Sequence, residues 1–127
     1  MELNKFGPIL KFAIDLERRA AEFYEAAAAV GPSPELKQSA RASRQWLSRL
    51  EVMRRELVNE MLLEPIAGFE QPPLPDLEVR GADCERIRKQ REQLSQVRSQ
   101  FYATASVKIA PVAPSVSRAF RRMAGDT

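Results

Sequence analysis

Ile9, Ala13, Leu16, Ala20, Phe23, Ala27 and Val30 follow one another at alternating steps of four and three residues. That spacing draws one apolar stripe down an α-helix and does not fit the period of two of a strand. Pro8 suits the first turn of this helix, and Gly31 ends it. A second stripe, Leu36, Ala40, Ser43, Leu47, Leu50, Leu57 and Met61, interrupted by Arg54, marks a longer helix. Ser33 is its expected cap, Pro34 takes the first position, and Glu35 complements the positive end of the dipole. The joint between the two helices is so short that they must pack antiparallel.

From Glu64 to Gly81 the pattern breaks. Pro65, Gly68, Pro72, Pro73 and Pro75 forbid a continuous helix, over a stretch long enough to run the length of a bundle. A connection of that kind lets a third helix run parallel to the second. Asp83 can cap this third helix, which carries Ile87, Leu94 and Phe101 at heptad spacing. The companion row of Gln90, Val97 and Thr104 is mostly polar. A fourth helix follows Pro111 and Pro114, with Val116, Phe120 and Met123 on its apolar side.

The run Leu16-Glu17-Arg18-Arg19-Ala20-Ala21-Glu22-Phe23-Tyr24 returns in degraded form as Leu94-Ser95-Gln96-Val97-Arg98-Ser99-Gln100-Phe101-Tyr102. The apolar and aromatic frame is kept, whereas Glu17 has become Ser95 and Glu22 has become Gln100. The expected architecture is therefore all-α: a single domain over 1–127, made of a first hairpin at 8–63, a Pro-rich crossover at 64–81 and a second hairpin at 82–127. One long crossover between two hairpins is the topology of ferritin-like four-helix bundles. Here the fourth helix is short.

A chain of 127 residues, 44% of them hydrophobic, can bury a real core. Its opening lacks a basic start followed by a long apolar stretch, and no run reaches the roughly 18 apolar residues of a membrane helix. The expectation is a cytoplasmic chain without a membrane partner. One cysteine, Cys84, excludes an intrachain disulfide and is expected as an incidental residue at a helix start rather than a reactive thiol. Residues 1–78 carry a net charge of −3 and residues 79–127 a net charge of +6. A basic half can serve an anionic partner such as nucleic acid, but Arg88, Lys89, Arg91 and Arg98 come without aromatic interleaving or a nucleic-acid motif, and a solvated helix face is expected.

Two segments resemble a known family. Phe12 to Tyr24 resembles the first helix of the rubrerythrin branch of the ferritin-like superfamily, and Val116-Ser117-Arg118-Ala119-Phe120-Arg121-Arg122-Met123-Ala124 resembles the beginning of its fourth. The resemblance implies a four-helix bundle of the kind that commonly holds a di-iron centre and reduces peroxide or oxidises iron. The family's first and third helices each give one carboxylate, and its second and fourth each give a Glu-x-x-His pair.

Carried over residue by residue, that ligand set is mostly missing. Glu17, seven residues before Tyr24, falls at the first-helix ligand; Ser95, seven before Tyr102, cannot replace the third-helix one. The second-helix pair falls on Leu47 and Leu50 or, in a register slipped by two, on Gln45 and Ser48. The fourth helix ends near where its pair would begin, and the chain contains no histidine. The implication is a metal-free bundle whose middle is closed by hydrocarbon packing. For Glu17 three environments remain open: a partly buried carboxylate paired with Arg54 or Arg98 or bonded to a tyrosine; a remnant ligand for iron or manganese, completed by another subunit or by Glu51; or plain exposure.

Tyr24 and Tyr102 are expected in the core rather than as redox partners of a metal. At about 1.5 Å per residue the second helix spans roughly 45 Å and the fourth only about 18 Å. The apolar strip this leaves, with Trp46, Met53, Leu57, Met61 and Leu62, is expected to join two copies into a homodimer. Without histidine there is no Ser-His-Asp or Cys-His arrangement, and five glycines form no phosphate loop. Carboxylate pairs such as Glu22 with Glu25 and Glu56 with Glu60 sit among arginines and serve solubility. The expected function is that of a non-catalytic, self-associating structural or interaction module. The alternatives are a metal-dependent oxidoreductase or iron-handling protein with an inter-subunit site, or an anion- or nucleic-acid-binding protein using its basic half.

Overall fold

Strand β1, Glu2–Lys5, passes directly into helix α1, Phe6–Val30, so that Pro8 falls in the first turn, where its missing N–H costs no helical bond. The computed structural model describes residues 2–31, 33–61 and 65–125. Gly31 closes α1 through a hydrogen bond from its N–H to the Ala27 carbonyl. Helix α2, Pro34–Met61, then returns along α1. The ion pairs Glu25–Arg44 and Arg18–Glu51 fix the antiparallel sense, since the α1 member moves back as the α2 member advances.

Strand β2, Pro65–Glu70, opens the crossover and pairs antiparallel with β1, Leu3 lying opposite Phe69. The pairing adds a two-stranded sheet to an architecture expected to be wholly helical. Pro65 is the first residue of its strand, a position that tolerates a missing N–H donor. Beyond β2 the chain packs Leu74, Leu77 and Val79 partly buried against the core. Gly81, at φ +72°, supplies the left-handed turn before α3.

Helix α3, Cys84–Ile109, is capped by Asp83, whose carboxylate accepts the Arg86 N–H at 2.8 Å. Phe12 meets Phe101, and Glu17 meets Arg98, so α3 is antiparallel to α1 and runs in the same sense as α2. Helix α4, Pro114–Gly125, folds back on α3, tied by a hydrogen bond from the Ser117 hydroxyl to the Ser106 carbonyl at 2.6 Å. The described residues are mostly helical, with four helices among them.

The predicted stripes form the interior. Every member of the first is buried except Val30, which is 56% exposed where the bundle ends. On α2, Leu36, Ala40, Ser43, Leu47 and Leu50 are buried. Ile87, Leu94, Phe101, Val116, Phe120 and Met123 complete the core, and of the polar companion row Gln90 is buried as well. Phe101 is the hub of an aromatic cluster, with ring centroids 4.7 Å from Phe12, 6.1 Å from Phe69 and 6.2 Å from Phe120. Among the described residues no helix is long and apolar enough to cross a membrane.

Candidate functional site

Glu17 lies on the inward face of α1 with Ala13, Ala20 and Tyr24, and it is wholly buried. Four residues apart on α3, Arg98 and Tyr102 share one face and both point at it. Arg98 Nε donates to Glu17 Oε2 and Arg98 Nη2 to Oε1, each at 2.9 Å, and the Tyr102 hydroxyl donates to Oε2 at 2.7 Å. The two-pronged, charge-assisted geometry is what makes a buried pair tolerable, because it answers the desolvation of both ions at once. Tyr102 is held in turn by the edge of Phe120, at 5.2 Å between centroids.

The electrostatics follow from this burial. Burial disfavours the charged form of Arg98, but the adjoining Glu17 carboxylate more than offsets it and raises the guanidinium above its ordinary value. Tyr102 is raised well above the ordinary phenol value, first by burial and then by the Glu17 charge. Tyr24 is raised by burial as well, with Arg98 pulling against the shift.

Glu17 thus takes the first of its expected environments: its partners are Arg98 and Tyr102, while Arg54 is exposed. Two expectations need correction. Arg98 does not belong to a solvated face. The middle of the bundle is not closed by hydrocarbon alone either, since Leu47 and Leu50 are buried as expected but an ion pair lies inside with them. Glu51 sits apart from Glu17, at 3.5 Å from Arg18 on the surface. A di-metal centre needs several open carboxylates and usually imidazole. Here both oxygens of Glu17 are engaged, and the expected second-helix ligand positions are leucines, so these residues do not fit that centre. Among the described residues no three acidic or cysteine side chains converge.

Beside the pair lies a cavity of about 480 Å³ walled by α1, α2 and α3, with Tyr24, Ser43, Trp46, Ser95 and Arg98 among its lining residues. Periodicity does not reveal it; Ser95, the counterpart of Glu17 in the repeat, is a short side chain of its lining. Trp46, expected on an association surface, is buried in this wall with the Arg49 guanidinium 4.8 Å from its ring centroid. Met53 is half-buried. The side chains of Leu57 and Met61, and all of Leu62, lie outside the described residues.

Folding also pairs part of the basic half with carboxylates. Arg88 is held by Glu85 and Glu92, Arg86 by Asp76, Arg91 by Glu35 and Arg98 by Glu17. Three of those carboxylates come from the acidic half of the sequence. Cys84 is exposed at the first position of α3. No protein-family model matches the chain, and neither a curated protein nor a solved structure matches it at a significant level.

Proposed function

We propose that the chain is a non-catalytic bundle of the ferritin-like, rubrerythrin-like kind that serves as an interaction module, with a guanidinium taking over the charge-neutralising task that metal performs in such bundles. One observation carries this reading: both oxygens of Glu17, the residue at the family's first ligand position, accept hydrogen bonds from Arg98 and Tyr102. A carboxylate neutralised in this way has no uncompensated charge to offer a cation, and Leu47 and Leu50 add none.

Self-association forms part of the same proposal. It is supported by α2 outrunning the 12-residue α4, and by Val52, which is exposed beside the half-buried Met53. Elemental analysis of protein purified without chelator tests the metal-free reading. Background levels of iron and manganese are expected; a stoichiometric metal that disappears in Glu17→Ala would overturn it. Sedimentation at dilute concentration tests association, where a dimer is expected and a monomer contradicts it.

A further inference from the structure

The cavity beside the ion pair is built unlike the rest of the interior. Its floor is Tyr24, Ser43, Trp46 and Arg98, with relative exposures of only 5%, 2%, 7% and 5%. Buried polar groups are normally hydrogen-bonded. Among the described residues Gln90 Oε1 is the one wholly buried side-chain atom without a partner, whereas the Tyr24 and Ser43 hydroxyls make no hydrogen bond to another described residue and reach solvent in the cavity. Arg98 spends Nε and Nη2 on Glu17, which leaves the N–H groups of Nη1 for another acceptor.

The charge balance points the same way. At the rim stands Arg91, whose nearest carboxylate, Glu35, is 3.5 Å away on an exposed side chain and holds it loosely. The described lining contains no carboxylate at all. The walls are therefore rich in donors, and since Glu17 neutralises Arg98 the loosely held Arg91 is their source of positive charge. A volume of about 480 Å³ is many times the ~30 Å³ share of a water, so the occupant has a body as well as a head group. Trp46, whose ring centroid lies 4.8 Å from the Arg49 guanidinium, adds an aromatic side chain to that lining.

We propose that this cavity binds a small organic oxyanion, a carboxylate or phosphate monoester with a flat body, its head group on Arg91, Arg98 Nη1 and the Tyr24 and Ser43 hydroxyls and its body against Trp46. The site goes beyond the metal-free reading and stands whether or not the protein self-associates.

Trp46 is the single tryptophan, so the one indole N–H resonance comes from a side chain of this cavity lining. The full chain is titrated with benzoate, phenyl phosphate and neutral benzamide. At least one anion should shift the resonance saturably, the tighter of the two identifying the head group, while benzamide should not saturate over the same range. Arg91→Ala, a partly exposed change that leaves the core intact, should weaken anion binding about tenfold. Tyr24→Phe should weaken it too, and Arg88→Ala, outside the cavity, should not. Failure of both anions to saturate, equal binding of benzamide, or unchanged affinity in Arg91→Ala would each overturn the assignment.

Discussion

Arg98 and Glu17, 81 residues apart in the chain, meet as a fork inside the bundle, with two hydrogen bonds of 2.9 Å joining the guanidinium to both carboxylate oxygens. The contact ties the first hairpin to the second at the level where Tyr102 also donates to Glu17. Neither ion could stay there alone. Their mutual neutralisation lets a charge from each hairpin persist in an interior built mostly of aliphatic side chains and aromatic rings.

Breaking the pair should cost far more than replacing it. Arg98→Met or Glu17→Leu alone strands one buried charge, and each should lower stability by about 3–5 kcal/mol. The double variant still leaves the Tyr102 hydroxyl unpaired, which carries its own penalty of about 1–3 kcal/mol. The triple variant with Tyr102→Phe should therefore recover most of the loss in urea unfolding. A triple variant as unstable as the singles would mean that the pair selects the packing arrangement itself.

Alkaline pH should find the two tyrosines. Both are held above the ordinary phenol value of 10.0 in the folded chain. Unfolded phenols release their protons at the ordinary value, so the folded state binds more protons above it. Their stabilising contribution is fully present below pH 10 and is lost as pH rises toward the folded values. Each buried phenol contributes a slope of about 1.4 kcal/mol per pH unit in that window. Tyrosinate absorbance should appear together with unfolding, and Tyr102→Phe should make the decline shallower.

Much of the fold was legible because apolar spacing is a local signal. The steps from Ile9 to Ala27 and from Leu36 to Leu50 correspond to buried residues in the structure. Asp83 caps α3 as its position before the helix predicts. The β1–β2 pairing was not legible, because two short strands lack a usable period and their partners lie far apart in the chain, as Leu3 and Phe69 do. At the candidate site Glu17 stood out as a carboxylate on an apolar face, with Arg98 among its possible partners. The same Arg98 also counted among solvated charges, since helical spacing places a residue on a face without saying what covers that face. The cavity needed three helices to be visible.

A surface counterpart calibrates the buried fork. Arg44 donates to both oxygens of Glu25 at 2.9 and 2.8 Å, nearly the same geometry, but both side chains are about half exposed. That hydrogen bond holds Glu25 below the ordinary carboxylate value, so its contribution is present above that value and fades as pH falls. Solvent screening limits the benefit, and Arg44→Ala should cost no more than about 1 kcal/mol. The loss should shrink further in high salt, whereas that of Arg98→Met should not.

Strand β1 makes a separate claim on stability. Leu3 is buried opposite Phe69, whose ring approaches Phe101, so the start of the chain and the start of the crossover share one apolar contact with α3. Leu3→Ala removes buried methyl groups and leaves a hole, at a cost of about 2–5 kcal/mol. If the strands support each other, the amide protons of β2 should exchange faster in this variant than those of the α1–α2 hairpin, whose contacts are untouched. Should β2 keep its protection while overall stability falls, the crossover is held by Phe69 against Phe101 and the strand pairing merely follows from it.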